Sequence, residues 1–295
     1  MDLTIYQTQA RETDRVPLPD PNAVVVPLLG IAGEVGDLLV EYKKKLRDGD
    51  AHRLFRPQVA EELGDLLWYL ANLASKFDLD LSEIARDNLA KTRDRWPVGA
   101  QDWPRLFDED FPADEQLPRE LVVEFRQHHD DVDRPVVQLF RGGVRIGDPI
   151  RDNAPDPDHY RFHDVFHLAH AAILGWSPVL RKLLGCKRKS DAKVDEVEDG
   201  GRAIVIDEAI VAFVFEYARR HNFFQEGADV DYGLLKTIRG LVSTLEVRAH
   251  SLADFARAIH EGYRAWNVIR QHEGGTVSID LRQHTIKAAA PGDAR

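Results

Sequence analysis

The chain has 295 residues, enough for two domains of ~100–200 residues, each burying its own core. Apolar residues make up 43% and charged residues 30%, the balance of a soluble globular protein, and the formal net charge of −11 excludes broad, sequence-blind binding to nucleic acid or an anionic membrane, since both need a basic surface. The single cysteine, Cys186, excludes an intrachain disulfide and a cysteine-rich zinc site.

Residues 1–10 lack the apolar stretch of a secretory signal, and no apolar run reaches the ~20 residues that span a bilayer. A cytoplasmic enzyme is the simplest expectation. In chain order, a weak helical pattern covers residues 3–12. Residues 27–46 open on Pro27, carry Leu28, Ile31, Val35, Leu38 and Leu39 at helical spacing, and end in Lys43, Lys44, Lys45 and Arg47 before Gly49. Residues 57–77 repeat that design from Pro57 through Leu63, Leu66, Leu70 and Leu73. A third strong helix starts near Asp80 or Ser82 and stops before Pro97. Pro97, Gly99, Pro104, Pro112 and Pro118 with the acidic run Asp108-Glu109-Asp110 predict a linker over residues 98–118.

The predicted boundaries are therefore an all-α bundle over residues 1–97, that linker, and a mainly α domain over residues 119–287 with a small β element. Residues 121–123 and 135–140 read as strands with a turn at Gly142-Gly143. Long helical patterns follow over residues 160–174, 203–220 and 234–267. Residues 288–295 read as a frayed tail. Lys187-Arg188-Lys189 reads as solvated, and Gly200-Gly201-Arg202 as a mobile loop.

Two segments share one acidic arrangement. Glu34 and Asp37 are three apart, and so are Glu62 and Asp65; on a helix each pair lies on one face. Both pairs sit in strongly apolar helices, where unpaired charge is costly. Four facing carboxylates repel one another unless a cation lies between them, and oxygen ligands at this density suit Mg²⁺ or Mn²⁺. The competing reading is two solvated helix faces.

The segments GEVGDLLVEYKKK, EELGDLLWYLANLASKFDLDL and DNLAKTRDRWP resemble the MazG-type and dCTP-pyrophosphatase-like members of the all-α NTP pyrophosphatase superfamily. The resemblance covers residues 4–97. It implies Mg²⁺ ligands at Glu34, Asp37, Glu62 and Asp65, with Asp37 standing where the family usually has Glu. Glu61 is a candidate base or a plain surface residue. The resemblance also implies phosphate-holding roles for Asn88, Lys91 and Arg95 and a nucleotide contact at Tyr69, while Trp68 is expected in the core. The implied reaction is hydrolysis of a nucleoside triphosphate, NTP or dNTP, to the monophosphate and pyrophosphate, by a homo-dimer or tetramer.

In the second half, His163, His167 and His170 fall at i, i+4 and i+7, one helical stripe. With Glu208 or Glu216 from a later helix, His163 and His167 are candidate ligands for iron or zinc. The competing reading is core histidines held by hydrogen bonds. A metal-dependent enzyme in this half, with the bundle binding nucleotide or dimerising, is the alternative function.

Overall fold

Apolar spacing sets the helices of the first hundred residues: α1 (Leu3–Glu12), α2 (Val25–Asp48), α3 (Phe55–Lys76) and α4 (Leu81–Arg95). The computed structural model describes residues 1–97, 103–227 and 229–292. The chain divides into two units, Met1–Arg93 and Asp94–Arg295, the division falling in the last turn of α4. α2 and α3 each begin two residues before the expected proline, which still lies in the first turn, where its missing N–H is harmless. Asp2 caps α1 by accepting from the Ile5 N–H at 2.8 Å.

The first unit has a small core. Ala10, Ala71 and Leu81 are buried, with Leu3, Tyr6, Leu67 and Trp68 packed around them. Polar ties add to it. Gln7 donates to Leu79 O at 2.8 Å and accepts from the Leu81 N–H at 2.8 Å, and Lys76 pairs with Asp14 at 2.7 Å. Leu28, Leu29, Leu39 and Leu46 of α2 are exposed.

The second unit joins an antiparallel sheet to six helices among the described residues. Its strands are β1 (Glu120–His129), β2 (Pro135–Arg141), β3 (Val144–Ile150), β4 (Gly274–Asp280) and β5 (Thr285–Ala289), in the order β3-β2-β1-β4-β5. Leu121, Val123 and Phe125 alternate into the core from β1. The helices are α5 (Asp164–Leu174), α6 (Pro178–Leu184), α7 (Ala192–Val197), α8 (Gly201–Arg219), α9 (Tyr232–Leu241) and α10 (Leu252–Gln271). α5 is buried along nearly its whole length and packs against α10.

Several expectations change. The pattern over residues 234–267 is two helices: α9 stops at Leu241, and Ser251 starts α10 with a capping box to Asp254. The expected tail contributes Ala288 and Ala289 to β5. The strand β4 opens on Gly274 and Gly275, and a Cβ on Gly275 would lie 2.3 Å from Ala289 O, so only glycine lets the strands approach. Gly200 and Gly201 start α8 and form no loop.

Of the stretch expected as a linker, residues 98–102 lie outside the described residues. Residues 103–118 pack into the second unit: Leu117 is buried, and Trp103 stacks on His284 at 3.9 Å. Asp108 is buried too, receiving Arg119 at 2.7 Å, Arg181 at 2.6 Å and the Leu117 N–H at 2.7 Å. Arg188 is not solvated; it is buried and donates to Asp199 and Glu246, at 2.8 and 2.6 Å. Charge runs look like solvent faces in sequence, but each of these charges has a distant partner that sequence does not reveal.

Burial would raise the Asp108 pKa, but Arg181 beside it and the Leu117 and Arg119 hydrogen bonds hold it below the usual carboxylate range. A depressed carboxylate stabilises above its unfolded pKa of ~4 and loses that contribution as pH falls further. Asp108→Ala leaves Arg181 buried with its carboxylate partner gone, and the expected cost in urea unfolding at neutral pH is ~3–5 kcal/mol. The gap between wild type and variant should narrow below pH 4.

Candidate functional site

Helices α2 and α3 run antiparallel. A Cβ on Gly30 would fall 2.3 Å from the Tyr69 ring, while further along the pair Glu34 meets Glu62, so rising numbers on one helix face falling numbers on the other. Gly30 thus sets the close approach, and the close approach sets the site.

Glu34, Glu62 and Asp65 can each present an oxygen within 4.8 Å of the others. Glu34 and Glu62 are half-buried and Asp65 exposed. The Glu62 pKa is raised, first by desolvation and then by hydrogen bonding and charge from Glu34, with Asp37 and Glu61 adding to it. The charge of Asp65 also reaches Tyr6 of α1, whose phenol is pushed up by desolvation and then by that charge. An all-oxygen set that crowds its own negative charge fits a hard divalent cation.

Asp37 stands outside the triplet, exposed, although its charge still reaches Glu62. Glu61 is exposed beside it. Tyr69 is half-buried, edge-on to Trp68 with ring centres 5.0 Å apart. Trp68 donates to Thr13 Oγ1 at 2.8 Å and packs on the small core, as expected. Asn88 and Lys91 are exposed on α4. Arg95 lies 4.5 Å above the Trp96 ring and 5.4 Å from that of Tyr232, lining a pocket of the second unit with Asp229 and Glu261.

Two further buried polar residues stand in this region, of which Glu41 escaped the sequence reading. Glu41, two turns beyond Glu34, is buried and bound to Lys44 and, at 2.8 Å, to His52, which together lower its pKa, Lys44 most. Its i+7 spacing from Glu34 was the available signal. Asn72 is buried and donates to Trp68 O at 3.1 Å, but its Oδ1 has no hydrogen-bond partner among the described residues.

In the second unit, the histidine stripe and Glu208 do meet. Ligating atoms of His163, His167 and Glu208 fall within 4.8 Å of one another, and so do those of His167, His170 and Asp207. Glu216 is absent from both groups and pairs with Arg219 at 2.8 Å. The fully buried Asp207 takes His170 Nδ1 at 2.8 Å and accepts from Ser177 Oγ at 2.7 Å. Burial alone would raise the Asp207 pKa, but His167 and His170 bring it far below the usual range.

An antiparallel helix pair that brings Glu34, Glu62 and Asp65 together defines an all-α unit with a candidate divalent-cation site, and comparison with known proteins narrows the class. Residues 27–99 match the MazG nucleotide pyrophosphohydrolase domain and residues 102–292 match the MazG C-terminal domain; the chain belongs to the MazG family of nucleotide pyrophosphohydrolases. Over 101 residues it is 34% identical to the Gene 37 protein of Mycobacterium phage L5, an alignment covering 32% of this chain and 89% of that protein. No solved structure matches. No described helix is long and apolar enough to cross a membrane.

Gly30→Ala drives a methyl group into the Tyr69 ring. The expected result is a loss of ~1–3 kcal/mol, as for an overpacked contact, read as a lower melting temperature of the first unit. Pairing it with Tyr69→Ala should recover part of that loss, because the ring that collides is gone.

Proposed function

We propose that the first unit hydrolyses a nucleoside triphosphate, NTP or dNTP, to the monophosphate and pyrophosphate, using Mg²⁺ with Mn²⁺ as a substitute. The observation that carries this reading is the convergence of Glu34, Glu62 and Asp65 across α2 and α3, with an oxygen of each within 4.8 Å of the others. Glu34, Glu62 and Asp65 would hold the cation, and Asp37, with a shorter side chain than the Glu usual at that position, would join through water. When bound, Mg²⁺ neutralises phosphate charge and lowers the pKa of a coordinated water for in-line attack on phosphorus. Glu61, adjacent to the cluster, is the candidate to take that water's proton. Asn88 and Lys91 would hold phosphate oxygens by charge-assisted hydrogen bonds, and Tyr69 would contact the nucleotide. Arg95, expected from the sequence to do the same, is not part of this set, because it lines the pocket of Asp229 and Glu261 in the second unit.

The thin core and the exposed leucines of α2 support association of this unit as a homo-dimer or tetramer. Light scattering should give a mass of at least two chains, and Leu29→Glu with Leu39→Glu should shift it toward one.

The test of the reaction is a panel of NTPs and dNTPs with Mg²⁺ and chromatography of the products. Monophosphate and pyrophosphate in equal amounts are expected. Glu62→Ala and Asp65→Ala proteins with unchanged circular dichroism should lose on the order of 10²-fold or more in rate, more than is typical for residues that only support a ligand. Release of inorganic phosphate with diphosphate, or full activity in both variants, would sink the reading.

A further inference from the structure

We propose that the second unit holds a divalent transition-metal ion on His163, His167 and Glu208, at the edge of a pocket that takes an oxyanion-bearing ligand. This centre is separate from the carboxylate cluster of the first unit and goes beyond the pyrophosphohydrolase reading.

The alternative, histidines satisfied within a core, accounts for His170 but not for His167. His170 has its hydrogen bond to Asp207. The His167 side chain is 2% exposed, and neither ring nitrogen makes an aligned hydrogen bond with any described residue. Its neighbours are close without being aligned: Nδ1 is 3.1 Å from Asp207 Oδ1, and Nε2 is 3.4 Å from Glu208 Oε2. A buried polar ring in that state lacks a partner, and a cation at Nε2 supplies one.

The tautomers agree with this placement. The Asp207 carboxylate beside His167 Nδ1 favours the proton on that nitrogen, leaving the Nε2 lone pair toward Glu208. His163 Nδ1 lies 3.0 Å from Tyr160 O, an acceptor only, so Nδ1 carries the proton and Nε2 is again the free lone pair. That Nε2 is 4.0 Å from Glu208 Oε2 and 3.5 Å from Asp164 Oδ1. Two imidazole nitrogens and a carboxylate converge, with Asp164 as a fourth donor in reach. This set suits zinc or ferrous iron and is too nitrogen-rich for Mg²⁺. Asp207, locked by Ser177 and His170, is the outer carboxylate that orients a metal-bound histidine.

The pocket gives the ligand class. It has a volume of about 510 Å³, and its lining includes His163, Asp164, Glu208, Asp148, Arg151 and Lys182. Arg151 Nε is buried and has no hydrogen-bond partner among the described residues. Arg151 already pairs with Asp130 at 3.3 Å through its terminal nitrogen, and a bound dication offsets Asp164 and Glu208, which leaves the Arg151 Nε–H and the Lys182 ammonium toward a phosphate-like oxyanion.

The experiment uses the full chain, stripped with chelator and titrated with Co²⁺ as a visible probe. One Co²⁺ per chain with a nitrogen-ligand absorption band is expected, and it should persist in the Glu62→Ala/Asp65→Ala protein. His163→Ala and Glu208→Gln, both at the pocket edge, should weaken it by at least ~10-fold. Asp207→Asn should weaken it while leaving the band's shape, since it acts through His167. Adding inorganic phosphate should shift the band in wild type and not in Lys182→Ala. A band missing from wild type, or unchanged affinity in both His163→Ala and Glu208→Gln, overturns the metal. A band that phosphate does not move overturns the ligand class. A band that disappears only with Glu62 and Asp65 returns all metal binding to the first unit.

Discussion

Glu34 and Glu62 face each other across two helices that Gly30 lets come close. Like charges at that range resist the approach, and the first unit has little apolar burial to oppose them, with three small or medium side chains at its centre. Polar contact joins α1 to α3, and α2 meets α3 where the Tyr69 ring lies on Gly30. Such an arrangement is stable when something positive shares the carboxylates, so folding and cation binding draw on the same geometry. The leucines left on the outside of α2 fit a unit that completes its core with another chain.

The second unit solves the charge problem in the opposite way. It has a large apolar core and admits ions only where each has its counter-ion. Asp108 gathers Arg119 and Arg181; Asp199 and Glu246 share Arg188. Such networks are costly to break because each loss strands a buried charge. His167 departs from that rule, being buried beside carboxylates without an aligned hydrogen bond, and it lies next to a pocket.

The chain carries two different candidate metal-ligand sets, one in each unit. The first unit offers oxygen donors at its surface, suited to a cation that exchanges with substrate. The second offers imidazole donors braced by a buried carboxylate, suited to an ion that stays.

The sequence alone determined all four helices of the first unit, the acidic steps on α2 and α3, and the histidine stripe of α5, because helical periodicity is a local property that neighbours three and four residues away already encode. It also made β1 and β2 legible through short β-branched runs. Only the tertiary structure decided the rest. Strands β4 and β5 were hidden by glycines whose need arises from a partner strand. Asp108 and Arg188 looked solvated because their counter-ions come from far along the chain. Asp37 dropped out of the triplet, and Asp207 joined His167, because which carboxylate meets which group depends on how helices pack, and packing is settled between residues that sequence spacing does not relate.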